Sequence, residues 1–493
     1  NISKIEDYKK EEKLKKKINF SLNKDQKKSL SDLKKFGNSF NVSLLQGVTG
    51  SGKTIVYFER IIEILKKGQQ VLILLPEIFL TKQFKDRFEE FFGYTPSIWH
   101  SKIGIKNKRK IWQGVVNNSL QLVIGARSSL LLPFKKLGLI ILDEEHDPSY
   151  KQDEGIIYHA RDMAVARASF EDIPIHLVSA VPSLETFKNI KDKKYNHTKL
   201  VNRFSEYPLP EAKVINLQNI ELRKNYFIAQ ETIDIVNKYL KKKEQVLFFL
   251  NRRGYAPFLI CKKCGFKHLC QNCSIYLTYH KSINRLICHH CGKKIKKDNN
   301  CKINNEQCDF QMYGPGVEKI YEELKNIFPG KKIAIFSSDF LSKINETESI
   351  LKRIEKNEID ILVGTQLISK GFNFPKLNCI AVVDADFSGM GYDLRTTEKN
   401  IQLYNQLSGR AGRFSKNSTI IYQTITPLNE TLKDVLENNP EKFLNNELKI
   451  RKNKNLPPFT RLIALIISAS TSQDSFRAAQ EIKKKLSVLT ELN

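Results

Sequence analysis

Residues 47–54 read Gly-Val-Thr-Gly-Ser-Gly-Lys-Thr, the spacing G-x-x-x-x-G-K-[ST]. An apolar run precedes the segment and an amphipathic stretch follows it, which is the strand–loop–helix setting of a phosphate cradle. Gly47, Gly50 and Gly52 let backbone N–H groups turn inward, Thr49 and Ser51 complete the cradle, and the helix N-terminus adds its dipole. In that role Lys53 reaches the β- and γ-phosphates of ATP, and the Thr54 hydroxyl ligates Mg²⁺. A plain flexible Gly/Ser loop would not require the flanking strand and helix.

Such a site needs a carboxylate for Mg²⁺ and a group that prepares water. The apolar stretch Leu139–Leu142 ends in Asp143-Glu144-Glu145-His146. Parallel sheets bind ligands at the C-terminal ends of their strands, so Asp143 is expected on Mg²⁺ and Glu144 on the attacking water. Taken alone, the same residues also suit a solvated loop. Far downstream lies Gln406-x-x-Gly409-Arg410-Ala411-Gly412-Arg413. A guanidinium from a facing lobe can stabilise charge on the γ-phosphoryl oxygens; Arg413 is the first candidate and Arg410 the second, with Gln406 beside them. A Gly/Arg loop by itself is equally a turn. Gln26, in Leu22-Asn-Lys-Asp-Gln26, carries an amide able to pair with both a donor and an acceptor on adenine's edge; a surface glutamine is the other reading. Ser179-Ala180 closes a strand and is expected to couple two lobes.

Eight of the nine cysteines fall in residues 261–308, as Cys261-x2-Cys264, Cys270-x2-Cys273, Cys288-x2-Cys291, Cys301 and Cys308. Each C-x2-C can offer two thiolates to one tetrahedral ion, and eight thiolates make two closed Cys₄ zinc sites. Iron–sulfur ligation is the alternative, but knuckles carrying Gly265 and Gly292 suit zinc better. Cys379 sits in an apolar run and reads as core.

The elements that must position these groups follow from periodicity. Short apolar runs at Val42–Gln46, Gln70–Leu75, Leu120–Ile124, Leu137–Leu142 and Ile173–Ser179 predict buried strands, with helices at Ile55–Lys66 and Leu80–Phe92 between them. The alternation resumes at Gln245–Leu250, Lys332–Phe336, Asp360–Val363 and Cys379–Val383. Strands alternating with helices imply parallel sheets covered on both faces. With Gly364-Thr365-Gln366 and Lys370-Gly371 added, the expected fold is α/β: two tandem RecA-like helicase lobes, a Cys-rich double-zinc insert in the second, and a partial C-terminal α+β domain. The expected divisions are a basic lead-in at 1–20, lobe 1 at 21–205, a linker and start of lobe 2 at 206–250, the insert at 251–310, lobe 2 at 311–430 and the C-terminal domain at 431–493.

Lys and Arg number 81 against 53 Asp and Glu, a net charge of +28. Residues 252–300 hold eleven of those bases and one acid, Asp298, with Phe258, Phe266, Tyr276 and Tyr279 interspersed. Bases among aromatics suit single-stranded nucleic acid, through phosphate contacts and stacking; a merely solvated zinc module or a protein-binding one are the alternatives. The first 20 residues have no apolar core of a signal peptide, and no apolar run approaches the roughly 20 residues that span a bilayer. The expectation is therefore a cytoplasmic protein with no membrane partner, whose thiols stay reduced. The Asn at position 1 and a helical pattern at the end read as a fragment.

From about Leu22 to Phe459 the chain resembles the PriA family of bacterial replication-restart helicases. The likeness rests on Leu75-Pro-Glu-Ile-Phe-Leu-Thr81, His100-Ser101, Ile124-Gly-Ala-Arg127-Ser, Asp143-Glu-Glu-His146, Tyr158-His-Ala-Arg-Asp162, Asn251-Arg-Arg-Gly-Tyr255, Asp384-Ala-Asp386, Gln406–Arg413 and the eight-Cys insert. The resemblance implies a 3′→5′ DNA helicase that acts on single-stranded and forked DNA. It implies further primosome proteins, single-stranded DNA-binding protein and the replicative helicase as partners. It implies one zinc on Cys261, Cys264, Cys301 and Cys308, and another on Cys270, Cys273, Cys288 and Cys291. It also implies that Asp147–Arg161 is an aromatic-rich loop linking DNA contact to ATP hydrolysis. The chain departs from the family at Cys301-x6-Cys308, at Ile156-Ile157 and at Val181, where the family usually has C-x2-C, Trp-Arg and Thr. The family's N-terminal DNA-binding and winged-helix domains lie outside the resemblance. Two rival readings are a zinc-dependent loading platform with vestigial ATPase activity and a related superfamily-2 RNA helicase.

Overall fold

The computed structural model describes residues 21–76, 82–101, 103–152, 155–204, 207–220, 222–223, 226–251, 258–261, 266, 268–270, 277–280, 285–287, 293–296, 310–313, 316–336, 344–369, 374–386, 394–412, 415–427, 430–437, 439–463, 465 and 467–487. Contacts divide the chain into a unit of Asn1–Leu444 and a unit of Asn445–Asn493.

The first lobe is built from strands β1 (Asn41–Gly47), β2 (Gln70–Leu74), β3 (Ser97–Trp99), β4 (Leu122–Gly125) and β5 (Leu137–Asp143), the short pair β6 (Lys151–Gln152) and β7 (Tyr158–His159), then β8 (Pro174–Ser179) and β9 (Asn196–Leu200). Its helices are α1 (Lys24–Lys35), α2 (Lys53–Lys66), α3 (Lys82–Phe92), α4 (Ile105–Val116), α5 (Ala160–Phe170) and α6 (Leu184–Lys191). Seven strands form one sheet in the order β3-β4-β2-β5-β8-β1-β9, and every pair in it is parallel. Both faces are covered. Along β2, Val71 and Ile73 enter the core beneath α1–α3, while Leu72 and Leu74 enter the core beneath α4 and α5. That two-sided burial is why the strand reads as an unbroken apolar run. Each such side chain, fully buried, stabilises the lobe by about 1.5–3 kcal/mol.

The second lobe has β10 (Glu211–Asn216), β11 (Gln245–Phe249), β12 (Phe258–Cys261), β13 (Thr278–His280), β14 (Arg285–Ile287), β15 (Lys294–Lys296), β16 (Phe310–Tyr313), β17 (Ile333–Phe336), β18 (Ile361–Gly364), β19 (Leu377–Val382) and β20 (Thr419–Thr424). Its helices are α7 (Gln230–Lys241), α8 (Val317–Ile327), α9 (Ile344–Glu355), α10 (Thr396–Ser408) and α11 (Glu430–Leu436). The order β10-β20-β19-β11-β18-β17 makes a second sheet, again all parallel. The insert is closed at its base by β12 and β16, antiparallel with Cys261 opposite Phe310, and β13-β14-β15 form a separate small sheet.

The lobes repeat one construction detail. Gln70 begins β2 and Gln245 begins β11, and both are fully buried. The Gln70 amide donates to the carbonyls of Val115, at the end of α4, and Leu120, both at 2.9 Å. The Gln245 amide donates to those of Ile354, near the end of α9, and Ile359, at 2.9 and 3.0 Å. Each glutamine thus ties a helix terminus, with its orphan carbonyls, to the strand beside it.

Four strands of the two large sheets escape the apolar-run reading. β3 and β9 are the two edges of the first sheet, and β9 is Asn-His-Thr-Lys-Leu. β10, in the stretch expected to hold the linker and the start of lobe 2, is an edge with Glu211 and Ala212 exposed. β20 lies inside the second sheet but carries Thr419, Gln423 and Thr424. The second unit contains the end of α12 (Pro440–Asn453) and α13 (Ser472–Leu486). No strand occurs among the described residues of this unit, and Ile463 is exposed. No described helix is long and apolar enough to cross a membrane.

Candidate nucleotide site at the junction of the lobes

β1 delivers the phosphate loop and α2 leaves it, with Lys53 as the first helical residue and Gly52 as its N-cap. Gly50 and Gly52 have φ of +87° and +83°, a region that only glycine enters without strain. A side chain at Gly52 would also collide with the Gln26 amide. Lys53 Nζ donates to the Gly47 carbonyl at 2.7 Å. The Ser51 hydroxyl oxygen is buried with no hydrogen-bond partner. A buried orphan hydroxyl in a loop of inward-turned backbone is what an anionic phosphate would satisfy, so the residues fit ATP.

Asp143 ends β5 and faces this loop. Its carboxylate accepts the Tyr57 hydroxyl at 2.9 Å and the Glu144 N–H at 2.9 Å. Burial, and then the charge of Glu144, push its carboxyl up to about 6, against the pull of Lys53. A hard divalent cation favours such a crowded pair of carboxylates, so Asp143 with Thr54 fits Mg²⁺. Glu144 adopts φ +49°, which turns the chain sharply after the strand.

Helix α10 of the second lobe closes on the same point. Gln406 Nε2 lies 3.0 Å from His146 Nε2 and 3.4 Å from Glu144 Oε2. An amide nitrogen only donates, so His146 Nε2 accepts; the neutral ring then carries its proton on Nδ1 and donates it to Ser179 Oγ, 2.7 Å away. Gln406, Glu144, His146 and Ser179 are thereby one network across the lobes. The Cα of Gly409 rests against the Thr49 side chain, so that any Cβ there would overlap it. Arg410 is buried next to Glu144, and burial lowers its guanidinium to about 10 although Glu144 pulls the other way. Arg413, Lys370 and Gly371 lie outside the described residues.

Gln26 is buried. It sits in a capping box with Asn23 at the start of α1, and its Nε2 donates to the Ser51 carbonyl at 3.0 Å. One amide hydrogen and one lone pair remain for an adenine edge. The segment joining the lobes reads in sequence only as a linker, with no residue expected at the site, yet it stitches both halves of the site. The Phe204 N–H donates to the Gly50 carbonyl at 3.0 Å, and Arg203 donates to the carbonyls of Ser408 and Gly412 at 3.1 and 3.5 Å.

A cleft of about 180 Å³ opens nearby, lined by Leu75, Pro76, Ser101, Arg127, Tyr150 and Gln152. Tyr150 is fully buried, and its hydroxyl lies 2.6 Å from the Asp143 carbonyl and 3.0 Å from that of Leu74. Arg127 donates to the Lys151 carbonyl at 2.5 Å. The β6–β7 ribbon pairs Gln152 with Tyr158, and beyond it Ile156 and Ile157 are exposed.

In the insert, Cys261 and Cys270 are described and both are buried; Cys264, Cys273, Cys288, Cys291, Cys301 and Cys308 lie outside the described residues. The Cys261 N–H donates to the Phe266 carbonyl and the Leu277 N–H to the His268 carbonyl, both at 2.8 Å. Soft thiolate donors spaced C-x2-C fit structural zinc. Among the described residues no cluster of three or more metal-ligating side chains occurs.

The close approach at Gly409 has a measurable consequence. Gly409→Ala should lower kcat for ATP hydrolysis about ten- to a hundredfold, because a displacement near 1 Å is enough to misplace Gln406 and Arg410. Steady-state kinetics, with circular dichroism to confirm an unchanged fold, check it.

Two parallel RecA-like lobes that share a phosphate loop, an Asp-Glu-x-His strand end and a Gln/Arg helix define a superfamily-2 helicase, an ATP- and Mg²⁺-dependent enzyme. The DEAD/DEAH box helicase family matches residues 23–190, and the PriA DNA helicase Cys-rich region matches residues 270–296. The replication restart protein PriA of Rickettsia conorii is 42% identical over 461 residues, covering 94% of this chain and 71% of that protein. The one from Rickettsia typhi is 44% identical, over 91% and 69%. Among solved structures, RecG bound to a three-way DNA junction superimposes with a TM-score of 0.53 at 17% identity, over 94% of this chain and 50% of that one, a likeness of fold. The chain belongs to the PriA family of replication restart proteins, and it is an ATP-dependent DNA helicase.

Proposed function

We propose that the chain couples ATP hydrolysis at the lobe junction to 3′→5′ movement along DNA at stalled or recombination-derived forks, and that it prepares those forks for loading of the replicative helicase. The observation that carries this reading is the junction itself: Gln406 reaches Glu144 and His146 from the opposite lobe, while Gly409 abuts Thr49 of the phosphate loop. In this reading the loop amides, Ser51 and Lys53 bind the phosphates; Thr54 and Asp143 hold Mg²⁺, which neutralises phosphate charge when bound. Glu144 orients and deprotonates water, Gln406 holds Glu144 in place, and Arg410 and Arg413 meet the charge that develops on the γ-phosphoryl group. Gln26 reads adenine. The cleft beside Pro76, Arg127 and Tyr150 takes a single strand, and its position against the Asp143 carbonyl lets an occupied strand reach the catalytic carboxylates.

In this reading, too, two zinc ions are held, one by Cys261, Cys264, Cys301 and Cys308 and one by Cys270, Cys273, Cys288 and Cys291. They fold the basic insert into a DNA-contacting module. Single-stranded DNA-binding protein, other primosome proteins and the replicative helicase are the protein partners, and the bacterial nucleoid is the place of action. The test is ATPase activity and zinc content of the purified chain, with and without forked DNA or RNA. Two zinc ions per chain and stimulation by forked DNA well above that by RNA are expected. Stripping zinc with a chelator should weaken fork stimulation and leave nucleotide binding intact. A DNA-independent rate would overturn the coupling, and a chain without zinc would overturn the metal assignment.

A further inference from the structure

Helix α10 carries Gln406 near its C-terminal end, and Gly409 and Arg410 follow it directly. Its N-terminal end is fastened to the first lobe at a separate place. The Glu398 carboxylate accepts the N–H of Leu184, the first residue of α6, at 2.9 Å, so lobe 2 supplies a negative cap to a lobe 1 helix N-terminus. Three residues earlier, Arg395 forks the Glu185 carboxylate at 3.0 and 2.5 Å and lies 3.6 Å from Glu398. Burial alone would raise the Glu185 carboxyl; hydrogen bonding to Arg395 and the charges of Arg161 and Arg395 more than offset it and bring it to about 2. The pair is therefore ionised throughout the working range.

A helix is a stiff rod rising about 1.5 Å per residue, so eleven residues separate Arg395 from Gln406 by roughly 16 Å. Where the N-terminal end sits on α6 fixes where the C-terminal end meets the phosphate loop. Glu185 also faces Arg161, 3.8 Å away. Arg161 is the second residue of α5, directly after β7, and it holds Glu145 at 3.2 Å. A run of alternating charges thus connects the foot of the β6–β7 ribbon to α10, in contacts distinct from the Gln406–Glu144 junction.

We propose that Glu185 and Arg395 are positioning residues: they latch α10 onto the first lobe so that Gln406 and Arg410 arrive at the nucleotide site, and through Arg161 they make that arrival depend on what the ribbon touches. This rests on the DNA-coupled reading above. The experiment compares the full chain with Glu185→Gln, Arg395→Gln and the double variant, in steady-state ATP hydrolysis at saturating forked DNA. Each single variant should lose about tenfold in kcat with KM for ATP unchanged within about twofold, because the groups touch no nucleotide. The double variant should be no worse than the poorer single, because one interaction is lost in all three. Thermal melting confirms folding. Single variants with wild-type kcat, or a double variant whose loss is the product of the two, overturn the latch. A wild-type chain that DNA does not stimulate overturns the coupling reading and removes the latch with it; stimulation of the wild type with unaffected variants removes the latch alone.

Discussion

Lys53→Ala lowers kcat for DNA-stimulated ATP hydrolysis by at least about 10³-fold and weakens nucleotide binding, with the fold intact. Lys53 begins α2 and folds its ammonium onto the Gly47 carbonyl, so Ala removes the charge and keeps a helix-favouring residue. Two electrostatic losses add. The phosphates lose their only charge supplied from within the loop, in a site where a preorganised cation is worth several kcal/mol. Asp143 loses the positive neighbour that holds its carboxyl down against burial and Glu144, so more of it is protonated at neutral pH and it serves a divalent cation less well. Glu144→Gln separates the two parts: it keeps the side chain's shape, and it relieves the like charge beside Asp143. Nucleotide affinity should therefore hold or rise while kcat falls by about 10²–10⁴-fold, the range for loss of a general base. Fluorescent-nucleotide binding and steady-state rates, measured on both variants, check the contrast. Equal losses of affinity would place Glu144 on the nucleotide rather than on water.

The parts of the site legible in sequence are those whose chemistry is local. The phosphate loop is eight consecutive residues between a strand and a helix. Asp143 and Glu144 end an apolar run that had to be a central strand. Long two-sided strands such as β2 and β5 could be read because burial on both faces leaves no polar residue in them. The edge strands β9 and β10 have a wet side and carry Asn, His, Lys and Glu, so periodicity could not separate them from loops. Beyond the approach of Gln406 to the first lobe and the coupling place of Ser179, contacts between distant residues were not legible. Arg203 looks like any basic residue in a linker, and Tyr150 like any aromatic in a polar loop, until backbone carbonyls from Ser408, Gly412, Asp143 and Leu74 converge on them. Gln26 was visible as a glutamine at a suggestive distance, but its bond to the Ser51 carbonyl was not.

The largest expected effect on stability also comes from such a hidden contact. Arg161→Ala should destabilise the first lobe by about 3–5 kcal/mol, the range for removing one partner of a buried ion pair. Glu145 is fully buried. Its carboxylate accepts from Arg161 at 3.2 Å, from the Ser183 N–H at 2.6 Å, and from the Ser183 and Thr186 hydroxyls, both at 3.0 Å. Truncating Arg161 leaves three neutral donors on that carboxylate and no compensating charge, together with the space of a long side chain. Burial alone would lower the Arg161 guanidinium, yet the carboxylates of Glu145, Asp162 and Glu185 more than offset this and raise it; the charge is held by its neighbours as firmly as it holds them. Replacing both ends, Arg161→Met with Glu145→Leu, should therefore cost less than Arg161→Ala alone, because no unpaired charge is left in the interior. The chain's two tryptophans, Trp99 and Trp112, both lie in the first lobe, so urea unfolding followed by tryptophan fluorescence reads this lobe's transition directly. A double variant whose destabilisation equals the sum of its single changes would mean that packing, rather than charge pairing, dominates at Arg161.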